Sequence, residues 1–396
     1  MIGISKLYCG TVEPSDVLRY QRRKQKLPSH LLQFGDLKRP VVVWNCTRRC
    51  NLRCRHCYSG SASGCTSPDQ LSTREGEALL RDLADFGSPV VLFSGGEPFM
   101  RKDLFDLAEL ATGLGMRAVI STNGTLITEE VAGRLAGIGL SYVGVSLDGV
   151  GQTHDTFRGV DGTFERAIRG INNCLEAGLK VGVRFTITQS NVIEIPDVFA
   201  LMRREGIPRA CFYHLVYTGR GQEIVSEDLS HRGTRDAVDT VIDHTAAMYE
   251  DGLSPEVLTV DNHADGPYLY LRMKRENSPR APQVLELLRA NGGNSSGHGI
   301  GCVSWDGRVH PDQFWRHLTL GNVREKPFSE IWTDTSVPIV AKLKNKREYV
   351  TGRCAECRFL DTCGGNCRPR AEALTGDRWA PDPACYLTDE EIGLEG

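Results

Sequence analysis

Short apolar runs alternate along this chain with stretches in which apolar residues recur every three or four positions. VVVWN (41–45), PVVLFSGG, RAVISTNG, SYVGVSLDG, KVGVRFTIT and ACFYHLV read as buried strands. LLRDLADFG (with Ser72 placed to cap it), DLFDLAELATGLG, TEEVAGRLAGIG, FERAIRGINNCLEAG and IPDVFALMRREG, which lie between them, read as amphipathic helices. Six strands alternating with five helices predict an α/β fold with a parallel sheet. Six such repeats predict a partial (β/α)6 barrel of the TIM type.

The pattern then changes twice. Residues 225 to 290 read as helical, with TRDAVDTVIDHTAAMYEDG and APQVLELLRANGG on either side of TVDNHADGPYLY. From about residue 296 the chain is rich in Gly, Cys and Trp and loses its periodicity, as expected of a small domain held by metal rather than by a large core. Four segments follow: an N-terminal segment 1–39, a core barrel 40–220, a helical linker or substrate region 221–295, and a cysteine-rich domain 296–396.

Composition narrows the classes. Forty per cent apolar and 24% charged residues describe an ordinary globular protein, and a net charge of −3 offers no global field for nucleic acid. The first forty residues are locally basic (Lys6, Arg19, Arg22, Arg23, Lys24, Lys26, Lys38, Arg39), which reads as a solvated surface. MIGISKLYCG lacks the apolar core of a signal peptide, and no apolar run reaches membrane-spanning length, so the expected location is the cytosol, away from membranes. Fourteen cysteines in such a chain point to metal or redox chemistry rather than disulfides.

Cys50, Cys54 and Cys57 stand together in RRCNLRCRHCY, directly after the first strand of the barrel series. A structural zinc site needs four ligands, and His56 keeps zinc open as a reading. Three thiolates suit three corners of a 4Fe–4S cube, leaving one iron free at the end of the barrel where such folds carry their active sites. With this spacing and context, the chain resembles the radical S-adenosylmethionine (SAM) superfamily over residues 40 to 217. The resemblance implies that the open iron chelates SAM and that its reductive cleavage yields a 5′-deoxyadenosyl radical. It also implies an electron donor such as flavodoxin or ferredoxin.

Companion motifs follow in order. SGGEP (94–98) has Gly95 and Gly96, which let the backbone approach closely, and Glu97, which accepts from an ammonium group. The resemblance assigns this motif to the methionyl amine of SAM. STNG (121–124) and SLDG (146–149) correspond to carboxylate and ribose contacts, which carries over Asn123, Ser146 and Asp148. Arg158 is a candidate carboxylate partner, and Arg184 and Thr186 are candidates for the ribose; each also fits a plain turn or barrel-core role.

CAECRFLDTCGGNC, followed by Cys385, resembles the SPASM extension that binds auxiliary 4Fe–4S clusters. The resemblance groups Cys354, Cys357, Cys363 and Cys385 into one closed set; four thiolates also suit zinc. Where relatives supply a further cysteine in the pattern PDGxVxPC, this chain has WDGRVHPD, with Asp312 in its place. Only Cys302 and Cys367 remain for a second site, so one auxiliary cluster is expected, with Asp312 free for substrate or serving as an oxygen ligand. Cys9, Cys46, Cys65, Cys174 and Cys211 lack partners at ligand spacing and read as small hydrophobes.

The segments MIGISKLYCGTVEPSDVLRY, LTVDNHADGPYLY and NGGNSSGHGIGCVSWDGRVHPDQFWRH resemble one subgroup, the didecarboxysiroheme deacetylases of siroheme-dependent heme synthesis. The related heme d1 maturases share the last segment. This resemblance implies an iron tetrapyrrole substrate and oxidative loss of two acetate arms to give Fe-coproporphyrin III. Walls for such a macrocycle are expected from Trp305, Phe314, Trp315, Tyr268 and Tyr270. Arg272, Arg308 and Arg316 are expected to meet its carboxylates, and His263, His310 and His317 are axial candidates. A heme d1 maturase, a SPASM-type peptide maturase and a non-enzymatic zinc scaffold stay open as alternatives.

Overall fold

The computed structural model of the chain describes residues 1–11 and 39–394. Arg19, Arg22, Arg23, Lys24, Lys26 and Lys38 of the basic N-terminal stretch lie outside the described residues.

All six expected strands form: β2 (Val41–Thr47), β3 (Val90–Gly95), β4 (Arg117–Thr122), β5 (Tyr142–Ser146), β6 (Val181–Ile187) and β7 (Arg209–His214). Each pairs in parallel with the next. Helices cross back between them, as the alternation of periods requires. The helix Thr73–Phe86 starts where Ser72 predicts. Ser72 Oγ accepts from the Glu75 N–H, and Glu75 accepts in return from the Ser72 N–H at 2.7 Å.

The sheet runs further than the sequence pattern implies. β8 (Glu256–Val260) pairs in parallel with β7 inside the stretch expected to be helical. It is five residues long and buried throughout, so it shows neither alternation nor length by which to distinguish it. The helix Asp265–Arg275 lies in the same stretch and agrees with its helical reading; Pro267 sits in its first turn, where a missing N–H costs nothing. β1 (Ile2–Gly3) closes this edge antiparallel to β8. At the other edge β9 (Ile300–Val303) adds in parallel to β2, and β10 (Arg308–His310) and β11 (Gly321–Asn322) continue antiparallel. The order is β1-β8-β7-β6-β5-β4-β3-β2-β9-β10-β11, an open partial barrel. The cysteine-rich part therefore begins as a strand of the barrel sheet, hydrogen-bonded beside the strand that leads into Cys50. Among the described residues no helix is long and apolar enough to cross a membrane.

Candidate active site

Strands β2 to β7 end on one face, and the loop after β2 lies across it. That loop is pinned at many points. The Gly96 and Glu97 N–H groups donate to Thr47 O and Arg49 O at 2.8 Å each. Arg53 N and Arg55 N donate to Arg158 O and Phe157 O, and Arg220 donates to the carbonyls of Cys54 and Ser61. Gly95 and Gly96 use their freedom here, for contact with the cysteine loop itself. Gly95 has φ +130°, and a Cβ on Gly96 would lie 2.1 Å from Arg49 O. Gly96→Ala is therefore expected to displace the loop. Overpacking of this kind costs about 1–3 kcal/mol, so the variant should show a lower melting temperature and reduced iron uptake on reconstitution. Wild-type values for both would remove the constraint.

The loop gathers three thiols. Cys54 and Cys57 lie close enough to Cys50 for their charges to act on it, though burial is the larger effect and pushes the Cys50 thiol up to about 12. The Leu52 N–H donates to Cys50 Sγ and Arg158 Nη1 to Cys54 Sγ, both at 3.4 Å. Among the described residues no group of three His, Cys, Asp or Glu side chains is arranged to hold a metal ion. Three soft donors in one loop, with N–H and guanidinium donors at two of the sulfurs, fit a cluster with several irons better than a single ion.

Beneath the loop lies a buried polar hub. Asp148 pairs with Arg158, stands 3.8 Å from His56, and accepts from the Thr186 N–H at 2.7 Å. Burial raises the Asp148 carboxyl, but Arg158 and His56 outweigh it, and the group stays below the usual carboxylate range. Glu97 is a second hub. It accepts from Thr122 Oγ1, Asn123 N and Phe99 N, tying the ends of β3 and β4 together. Burial nevertheless lifts its carboxyl to about 7.

Above these hubs a cavity of about 700 Å³, its open mouth included, is lined by Ser146, Arg158, Arg184, Thr186, His56 and Phe314, among others. Ser146, Arg158, Arg184 and Thr186 from the sequence reading thus meet at one cavity, while Asp148, Glu97 and Asn123 are buried and are not among its lining residues. Arg184 donates to Tyr213 OH at 2.8 Å. His214 and Asp261, at the ends of β7 and β8, also face the cavity, and neither was singled out from sequence. Their signal was position alone: each closes a parallel barrel strand at its C-terminal end.

The C-terminal thiols separate into two sets. Burial, followed by the charges of Cys385, Cys354 and Cys357, pushes the Cys363 thiol well up, so these four sulfurs neighbour one another. Cys367 is not among them. Its N–H donates to Asp382, and its thiol lies within electrostatic reach of Arg370, Asp382, Asp261 and Asp312. Cys302 accepts from Asn45 Nδ2 at 3.4 Å, and Asp312 lies within electrostatic reach of its thiol. Around this second pair stand oxygen and ammonium groups in place of further thiols. Ser296 Oγ donates to Asp312 at 2.6 Å, and the buried Lys346 ammonium donates to Asn294 Oδ1 and Ser296 O. Of the remaining cysteines, Cys46, Cys174 and Cys211 are buried, and Cys9 and Cys65 are half-buried.

Several residues expected at the substrate are not among those lining this cavity. Asp312 is buried, accepting from Ser296 and from the Phe314 N–H. His310 has both ring nitrogens engaged, one with Ser304 Oγ at 2.9 Å and one with Leu318 O at 3.0 Å, so it has no nitrogen left for an iron. His263 sits 3.4 Å from the amino terminus, and the exposed His317 pairs with Glu372. Arg308 is fixed to Asp306. Arg316 lies over the Trp305 ring and donates to Ser59 O, bracing the cysteine loop. Trp315 is buried against Glu372. Tyr268 and Arg272 bind Asp239, and Tyr270 meets Phe359 edge-on. Phe314 alone of the expected walls lines the cavity.

Comparison with known proteins agrees with this geometry. Residues 44–202 match the Radical SAM superfamily model, and residues 298–358 match the SPASM model, an iron-sulfur cluster-binding domain. The chain is 63% identical to Fe-coproporphyrin III synthase of Methanosarcina barkeri, over 99% of each chain. It is 45% identical to pre-heme d1 synthase of Dinoroseobacter shibae, over 90% of this chain and 88% of that one. The structure of anSMEcpe with bound AdoMet shares the fold, with a TM-score of 0.67 at 18% identity, covering 90% of this chain and 96% of that one.

Proposed function

The chain belongs to the radical SAM superfamily, in its SPASM-bearing branch, and from that premise we propose that it acts in siroheme-dependent heme b synthesis. It converts didecarboxysiroheme to Fe-coproporphyrin III by oxidative removal of two acetate side chains. The observation that carries this reading is the 63% identity to Fe-coproporphyrin III synthase over 99% of this chain, a span that takes in both cysteine sets and the residues lining the cavity.

Cys50, Cys54 and Cys57 hold the 4Fe–4S cluster that binds SAM. Bound there, cluster and SAM supply a 5′-deoxyadenosyl radical, the hydrogen-abstracting agent of this superfamily. The protein's part is positional and electrostatic. Arg158 offers a guanidinium beside Cys54 and is itself held by Asp148. Glu97 and Asn123 fix the ends of β3 and β4 under Gly95 and Gly96. Ser146, Arg184 and Thr186 give the cavity polar edges for the ribose and carboxylate of SAM. Cys354, Cys357, Cys363 and Cys385 hold one auxiliary 4Fe–4S cluster, which is suited to accepting the electron left on the substrate. A small reduced protein such as flavodoxin or ferredoxin supplies electrons to the SAM-binding cluster, and the setting is the cytosol.

A binding titration separates this reading from a peptide maturase. Anaerobically prepared protein should bind Fe-coproporphyrin III with a shifted Soret band at micromolar concentration. Failure to bind any iron tetrapyrrole, together with a co-purifying precursor peptide, would overturn the substrate assignment.

A further inference from the structure

His214 is the last residue of β7 and one of the two histidines that line the cavity among the described residues. The other, His56, sits within the cysteine loop against the Phe157 ring. Behind the His214 ring stands a built support. Its Nε2 lies 2.9 Å from Asp265 Oδ2, and the second Asp265 oxygen accepts from Tyr386 OH at 2.8 Å. Asp265 is wholly buried, at the start of the helix Asp265–Arg275. Tyr386 directly follows Cys385, so the support reaches across to the auxiliary part of the molecule.

A carboxylate bonded to one ring nitrogen fixes the tautomer and orientation of an imidazole and raises the basicity of the other nitrogen. Histidines that ligate metals are held in this way. No described residue bonds Nδ1 of His214, and the residue lines the cavity. The three histidines that sequence pointed to lack this combination. We infer that His214, oriented by Asp265 and Tyr386, ligates the iron of the tetrapyrrole through Nδ1 and so sets the macrocycle's position in the cavity. The inference rests on the tetrapyrrole reading above. It gives His214 a positioning role: the bond forms between Nδ1 and the substrate iron, with no redox change and no group transferred.

Two probes test it: ferric Fe-coproporphyrin III and metal-free coproporphyrin III. The wild-type protein should bind the iron probe with the optical and electron paramagnetic resonance signature of an imidazole ligand. His214→Ala should lose that signature and recover it on addition of free imidazole. His214→Met should replace it with a thioether signature. Asp265→Asn should weaken the iron probe by about 10–100-fold, the usual effect of losing the group behind a ligating histidine, without weakening the metal-free probe. Iron–sulfur content and melting temperature equal to wild type certify that each variant is folded. An unchanged imidazole signature in folded His214→Ala overturns the inference. So does wild-type protein that binds both probes with equal affinity and no imidazole signature, and in that case the tetrapyrrole reading survives. Wild-type protein that binds neither probe overturns the tetrapyrrole reading, and the inference with it.

Discussion

Replacing any one of Cys50, Cys54 or Cys57 by alanine is expected to abolish reductive cleavage of SAM and to halve the iron content. Fully reconstituted wild-type protein should hold about eight irons, two cubes of four, and each variant about four. The separation follows from the structure. The three thiols lie on the loop after β2, while Cys354, Cys357, Cys363 and Cys385 neighbour one another elsewhere, so loss of one set leaves the other's ligands intact. Formation of 5′-deoxyadenosine should fall to background in all three variants. Undiminished 5′-deoxyadenosine would refute the assignment. About twelve irons in the wild-type protein would mean that Cys302 and Cys367 build a third cube despite Asp312, Ser296 and Lys346 around them.

The second large effect concerns the joint between the two parts of the molecule. Arg370 and Asp382 form a fully buried bidentate pair, with Nε to Oδ1 at 2.9 Å and Nη2 to Oδ2 at 2.7 Å. The third bond from Arg370 goes to Leu215 O, just past the end of β7, at 3.0 Å. Asp382 also accepts from the Cys367 and Ala384 N–H groups. Asp382→Ala would leave a guanidinium buried without its counter-charge. Breaking a buried pair in this way costs about 3–5 kcal/mol, although replacing both partners with apolar groups is often nearly neutral. The single variant should melt several degrees lower and lose auxiliary iron, since Cys385 follows three residues on. The double variant Arg370→Met/Asp382→Leu should recover much of the melting temperature. A single variant as stable as wild type would show that the pair contributes nothing net.

The barrel was legible because β2 to β7 are continuous apolar runs between amphipathic helices. β8 was not, because five buried residues between two helices carry no period. The three-cysteine loop was legible from its spacing together with its place directly after the first barrel strand. Motif order also pointed to Ser146, Arg158, Arg184 and Thr186, which the fold brings to one cavity. Asp148 and Glu97 show the limit of that reading. A motif locates a residue at a strand end; the packing adds that each carboxylate also accepts from the backbone at the end of a neighbouring strand. The substrate side was least legible. His310 sits in a distinctive segment, yet both of its nitrogens are taken; His214 sits in the strand read from ACFYHLV without being singled out there, yet lines the cavity. Which histidine is left with an open nitrogen depends on partners far apart in sequence, such as Asp265 and Tyr386, which spacing does not reveal.

The central claim is that this chain removes acetate arms from an iron tetrapyrrole. Anaerobic incubation of the reconstituted protein with SAM, a reductant and didecarboxysiroheme, followed by mass spectrometry of the macrocycle, tests it most directly. The account predicts conversion to Fe-coproporphyrin III through an intermediate that has lost one acetate arm, with 5′-deoxyadenosine formed alongside. Abundant 5′-deoxyadenosine with didecarboxysiroheme recovered unchanged would contradict it.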